Sequence, residues 1–221
     1  MQCAVVIVCN YGAFYPHAPK MKGLFVMKST TKTLVEGAMM LALAIVLSLI
    51  TPFRKLLPFG GSITLVSMLP ICLFSIRHGI LKGLGVSALF AAYQFVQGIS
   101  EGLFGWGLTS EMLVMCILFD YLLAYTVIGL AGIFRRKKMC GWIAGIVIAL
   151  TLRFLCHFIS GVVVFASTGK IWDDLEFVAD NKYIYSAVYN GAYMLPEIIL
   201  TVIMAVILLR IPSVKRIITE Q

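Results

Sequence analysis

The sequence predicts an all-α integral membrane protein: six transmembrane helices in one compact bundle, with both termini cytoplasmic. Three observations lead there. First, 61% of the 221 residues are hydrophobic and only 13% are charged, against about a quarter charged in a soluble globular protein. Mean hydropathy is +0.98, and too few polar side chains remain to cover a water-facing surface. Second, the apolar residues fall into long runs, at 32–51, 62–77, 79–100, 110–134, 141–168 and 183–210. A spanning helix needs about 20 apolar residues, fewer where it is broken or the bilayer is thin. Third, Lys and Arg alternate between the ends of these runs, and the side richer in them is the cytoplasmic one.

The segments can be justified in order. Residues 1–27 are apolar at first but lack a basic start and a cleavage site. They are expected to be an extension dispensable to the fold, with Met21 or Met27 as alternative starts. The membrane domain is expected over 28–212 and a cytoplasmic tail over 213–221. The first span, "EGAMMLALAIVLSLI", places Ala38 four residues before Ala42 and Ala44 four before Ser48. Such spacing lets helices approach closely in lipid, either within the bundle or against a second membrane subunit. The second segment is short and contains Pro70; the sixth contains Pro196, where a kink is expected. Continuous apolar runs, without alternation, argue against a membrane barrel.

Lys20, Lys22, Lys28, Lys32, Arg77, Lys82, the run Arg135 to Lys138, Arg210, Lys215 and Arg216 share one side. Arg54, Lys55, Lys170 and Lys182 share the other, with the acidic loops containing Glu101, Glu111, Asp173, Asp174, Glu176 and Asp180. The net charge of +8 is therefore distributed in short clusters between apolar segments, which argues against nucleic-acid binding. The six cysteines form no C-x-x-C pair and read as small apolar groups. No H-x-x-x-H, H-E-x-x-H or Walker A pattern occurs, so metal binding and self-driven ATP hydrolysis have no motif to rest on, and no serine within a span has a positioned base that the sequence reveals.

Ionisable and amide side chains within spans are costly unless they face a partner or a cavity. Asp120, Arg153, His157, Asn190 and Glu197 are such residues. Asp120 lies about ten residues into its helix from the outer end, roughly 15 Å along the axis. His157 and Asn190 lie about eleven and seven residues from their own outer ends, so the three share the outer half of the bilayer. Arg153, His157, Ser160, Gly161 and Phe165 form one stripe on the fifth helix, and Asn190, Tyr193 and Glu197 another on the sixth. Tyr121 and Tyr185 add aromatic faces. Two readings stand side by side at this point. One is a polar network that holds the bundle together, with Arg153 paired to Asp120 or Glu197. The other is a ligand pocket that opens outward.

The blocks "VEGAMMLALAIVLSLI", "GGSITLVSMLPI", "DYLLAYTVIGLAGIFR", "LRFLCHFISGVVVF" and "YSAVYNG" resemble the thiamine-specific substrate-binding (S) components of energy-coupling factor (ECF) transporters, the ThiT/YuaJ family. The resemblance covers about residues 28–212. It implies a thiamine-binding subunit of the bacterial cell membrane without catalytic residues, metal or cofactor. It also implies a transmembrane coupling subunit and two cytoplasmic ATPases as partners, with Ala38 and Ala42 as the docking face. By matching motifs, it implies substrate-binding roles for Asp120, Tyr121, Arg153, His157, Gly161, Phe165, Tyr185 and Asn190. A buried carboxylate and aromatic faces suit the cationic thiazolium ring, and an asparagine suits an aminopyrimidine edge.

The chain departs from the family pattern in places. Asp120 stands where glutamate is usual, Phe165 stands where tryptophan is expected, and Phe59 is the candidate to replace a lid tryptophan. Trp106 is a further candidate pocket aromatic. The alternatives are an S component for another vitamin or small cationic metabolite, and an intramembrane enzyme using Asp120 and His157 as acid and base.

Overall fold

The computed structural model describes residues 29–51, 63–64, 66–171 and 178–219. The chain divides into two units, Met1–Lys32 and Thr33–Gln221. Of the first, only Ser29–Lys32 is described. The expected boundary at residues 27 and 28, and Phe59, lie outside the described residues.

Helices dominate, because an apolar solvent offers backbone groups no partner and each segment must satisfy its own N–H and C=O groups. They are α1 (Ser29–Leu49), α2 (Leu69–His78), α3 (Ile80–Ser100), α4 (Ser110–Phe134), α5 (Met139–Phe165), α6 (Lys182–Arg210) and the short α7 (Pro212–Thr219). Four of them, α1, α4, α5 and α6, are long and apolar enough to cross a membrane. Their outward faces are apolar too: Leu34, Val46, Val114, Val163, Leu195 and Ile199 are exposed. An apolar surface of that extent belongs against lipid.

The second predicted segment needs correction. Its helix starts at Leu69, not near residue 62, and residues 66–68 form a turn. Pro70 falls in the first turn of α2, where its missing N–H would have had no helical partner anyway. Gly79, with φ +92°, then joins α2 to α3. A residue with a Cβ is strained there. Pro196 sits inside α6, which continues past it to Arg210. The fifth segment ends at Phe165, three residues before the expected end, because Ala166 turns left-handed at φ +45°. A two-strand antiparallel ladder, β1 (Gly169–Lys170) with β2 (Val178–Ala179), lies between α5 and α6.

Two helices carry π turns. In α4 the turn covers Ile117–Leu123 and includes Asp120. In α5 it covers Gly161–Phe165 and follows His157 and Ser160 directly. Such turns insert a residue, re-aim the side chains around them and recur at functional sites.

The main core lies between α2, α3, α4, α5 and α6, around Ile71, Ile76, Phe90, Ile128, Ile146, Leu150 and Leu209. Small residues let the backbones approach closely, as helix association in lipid requires. A Cβ on Gly129 would lie 2.5 Å from the backbone N of Leu84, and one on Gly145 would lie 2.2 Å from the carbonyl of Ala131. Ser75 is equally confined: its hydroxyl donates to the carbonyl of Gly129 and accepts from the N–H of Gly132.

Helix α1 is more peripheral. Gly37 touches Phe74 and Val86, and Glu36 bridges Arg77 at 3.2 Å and His78 at 2.6 Å. Ala44 is buried, whereas Ala38 and Ala42 are exposed. The expected C-terminal tail contains α7, which buries Ile218.

Gly129→Ala is expected to destabilise the bundle by about 1–3 kcal/mol, the usual cost of overpacking. Gly85→Ala, where nothing lies within 4 Å, should leave stability close to wild type. Thermal unfolding in detergent checks the pair. Equal midpoints for the two variants would show that the α3–α4 approach is not tight.

Candidate functional site

One cavity of about 530 Å³ opens among α1, α3, α4, α5 and α6. That is within the range of about 300–1,000 Å³ usual for small-molecule sites. All eight residues expected to hold a ligand line it: Asp120, Tyr121, Arg153, His157, Gly161, Phe165, Tyr185 and Asn190. Trp106 also lines it, with its ring centroid 6.0 Å from that of Phe165.

At the centre, His157 Nδ1 lies 2.8 Å from Asp120 Oδ1. An ionised carboxylate only accepts, so in that pair Nδ1 is the donor and Nε2 is the ring nitrogen left over. His157 is 9% exposed, and its Nε2 has no hydrogen-bond partner among the described residues. The second carboxylate oxygen of Asp120 accepts from Ser160 Oγ and, at 3.4 Å, from Cys116 Sγ. The imidazole is fixed between two phenol rings: Tyr125 at 6.3 Å and Tyr193 at 6.2 Å, both edge-on.

Arg153 marks the buried end. Its Nη1 donates to Glu197 Oε2 at 2.8 Å, with only 4% and 1% of the two side chains exposed. The guanidinium lies 4.7 Å from the centroid of Tyr125 and also approaches Met68 Sδ and the Tyr125 hydroxyl. The other oxygen of Glu197 accepts from Thr64, which also meets Ser67. Of the two expected partners for Arg153, Glu197 is therefore the one that pairs with it; Asp120 pairs with His157.

Asn190 is committed to the protein. Its amide nitrogen donates to the carbonyls of His157 and Ser186 at 3.3 and 2.9 Å, and its Oδ1 accepts from Tyr193 at 2.8 Å. It ties α6 to α5 beside the cavity. The space left by Gly161 goes largely to α6: a Cβ there would stand 2.2 Å from Ser186 Oγ. Tyr121 packs on Gly98. Tyr185 stacks on Tyr189 at 6.2 Å, with the two planes 9° apart.

Several lining residues escaped the sequence reading: Thr64, Gln94, Gln97, Tyr125, Ser186 and Tyr189. Tyr125 had a signal, since it lies four residues after Tyr121 in "DYLLAY" and carries a hydroxyl into an apolar run. Gln94, Gln97 and Thr64 had none, because they lie near segment ends, where polar residues are ordinary. Among the described residues no cluster of three or more His, Cys, Asp or Glu side chains could hold a metal ion.

These features define a helical membrane protein with an internal, partly acidic cavity of small-molecule size. The chain belongs to the thiamine transporter protein family (Thia_YuaJ), whose model matches residues 34–216. It is 29% identical over 187 residues to the thiamine transporter ThiT of Bacillus subtilis, covering 79% of this chain and 88% of that protein. It is 27% identical over 157 residues to ThiT of Lacticaseibacillus paracasei, covering 65% and 71%. Its fold is similar to a solved structure of ThiT from Listeria monocytogenes, with a TM-score of 0.62 and 22% identity, covering 85% of this chain and 98% of that one. The chain is thus a transporter-family protein and not an enzyme, which removes the reading of Asp120 and His157 as catalytic acid and base.

Glu197→Ala would leave Arg153 charged and unpaired inside the bundle. The expected cost is about 3–5 kcal/mol, as for other broken buried pairs. It should appear as a lowered thermal midpoint in detergent, and Arg153→Met/Glu197→Met should recover much of the loss. A wild-type midpoint for Glu197→Ala would rule out the pair as a structural element.

Proposed function

We propose that this chain is the thiamine-capturing S component of an ECF-type importer in a bacterial plasma membrane. Thiamine enters the cavity from outside. A transmembrane coupling subunit and two cytoplasmic ATPases then drive its uptake. The reading places six spans, α1 to α6, across the membrane with both termini in the cytoplasm, as the distribution of Lys and Arg favours. Here α2 and the turn before it act as a short, broken span.

The observation that carries the reading is the Asp120–His157 pair on the cavity wall, with Nε2 unpartnered among the described residues. Arg153 is balanced by Glu197, so the charges left facing the cavity are the carboxylates of Asp120, deep in its wall, and Glu101. A fixed negative charge in a poorly hydrated site favours a cation. Tyr121, Tyr125, Tyr185 and Trp106 supply faces for flat rings, and such faces attract a cationic ring. His157 Nε2 can accept from an amino group on the ligand. Asp120, Tyr121, Arg153, His157, Gly161, Phe165, Tyr185 and Asn190 form the binding wall, and Asn190 acts mainly by holding α5 and α6 in register.

The Ala38/Ala42 face is proposed as the seat for the coupling subunit. Its exposure and its small-x-x-x-small spacing support this, and internal packing falls instead to Gly37 and Ala44.

Titration calorimetry on the purified chain should give saturable binding of thiamine, one per chain, and none of riboflavin or biotin. Asp120→Asn should weaken thiamine by tenfold or more, about 1.4 kcal/mol, with the fold intact. Absence of binding by folded wild-type protein would refute the assignment, and unchanged affinity in Asp120→Asn would remove the counter-ion. Ala38→Leu/Ala42→Leu should abolish thiamine uptake in cells while leaving binding by the purified variant at wild-type strength. Undiminished uptake would exclude this face as the seat.

A further inference from the structure

Asp120 is held by more than the histidine. Its Oδ1 accepts from His157 Nδ1 at 2.8 Å, and its Oδ2 accepts from Ser160 Oγ and, at 3.4 Å, from Cys116 Sγ. Ser160 and Cys116 are both fully buried, and neither lines the cavity. They grip the carboxylate from behind. The arrangement comes from two helices at once. Cys116 and Asp120 are i and i+4 on α4, and His157 and Ser160 are i and i+3 on α5, so each pair shares a face. Both faces meet at π turns, one beginning just after Cys116 and the other just after Ser160.

The short side chain makes this grip consequential. A carboxylate free to rotate could follow its ligand or turn away to another donor. Here three donors arrive from two helices and leave Asp120 one orientation. Hydrogen bonds to a charged group are the stronger kind. A counter-ion already fixed where the ligand's charge will lie needs no reorganisation when the ligand binds.

We infer that Ser160, assisted by Cys116, is a positioning residue that locks the Asp120 carboxylate into the cavity wall and thereby sets the preference for a charged over a neutral ligand ring. The inference rests on the thiamine reading and goes beyond it, because neither residue touches the ligand space. Two kinds of loss are separable. A merely structural serine would, when removed, weaken every ligand of that shape equally. A positioning serine weakens the cation selectively.

The test compares thiamine with its deaza analogue, in which carbon replaces the quaternary nitrogen and the ring is neutral. Calorimetry on wild type, Ser160→Ala, Ser160→Thr and Cys116→Ala measures the ratio of the two affinities. Ser160→Ala should lower that ratio by roughly tenfold, Cys116→Ala should lower it by less, and Ser160→Thr, which keeps the hydroxyl, should restore it. In an Asp120→Asn background, Ser160→Ala should change the ratio no further, since coupled residues are not additive. Equal losses for both ligands in Ser160→Ala, or an undiminished effect in the Asp120→Asn background, would overturn the inference. If Ser160→Ala does not fold, the same ratio in Cys116→Ala decides, and an unchanged value there counts against it. Failure of wild type to bind thiamine at all is a different result, and sinks the functional reading instead.

Discussion

The contact between Arg153 and Glu197 is the interaction on which the rest of the structure depends. Two charges meet at 2.8 Å with almost no exposure, in a chain whose outer surface faces lipid. Each would be prohibitively expensive there alone. Together they join α5 to α6, and through Met68 and Thr64 they anchor the turn before α2. Tyr125 of α4 completes the enclosure by lying under the guanidinium. Four elements thus converge on one neutralised pair, and the cavity rises from it.

Neutralisation is also what gives the cavity its character. Had Arg153 faced Asp120, the two would have cancelled and left the cavity without that charge. With Glu197 occupied by arginine, Asp120 is left to His157, Ser160 and Cys116, none of which need bear a positive charge. The cavity keeps the carboxylates of Asp120 and Glu101, several aromatic faces and an imidazole nitrogen without a hydrogen-bond partner among the described residues. The same economy of polar groups that stabilises the bundle therefore defines what the cavity can accept. Close helix approach serves both ends. Gly129 and Gly145 tighten the core, whereas Gly161 brings Ser186 and Asn190 against the wall that His157 occupies.

Helix α1 follows a different logic. It presents Gly37 and Ala44 inward, carries Ala38 and Ala42 outward, and is fastened near its start by Glu36 to Arg77 and His78. Its far end, at Ser48, Leu49 and Thr51, borders the cavity. One helix therefore reaches both the cavity and the outer surface.

Much of this was legible in the sequence, for a simple reason. Solvent choice is written in composition, and long apolar runs admit few structures in lipid. Asp120, Arg153, His157 and Asn190 stood out because a polar group in such a run must have a purpose, and all of them line the cavity. What the sequence could not decide was pairing. Arg153 could have met either acid, since the choice rests on distances between segments far apart in the chain. Asn190 read as a ligand contact, yet its amide is spent on the carbonyls of His157 and Ser186. The π turns that aim Asp120 and follow Ser160 have no local sequence signature, and the start of α2 at Leu69 depends on how the preceding turn packs. By itself, then, the sequence determined the solvent, most of the helices and the polar residues that matter. Tertiary structure alone determined which of those residues neutralise one another and which is left to face the cavity, because that depends on which side chains from separate helices come within hydrogen-bonding reach.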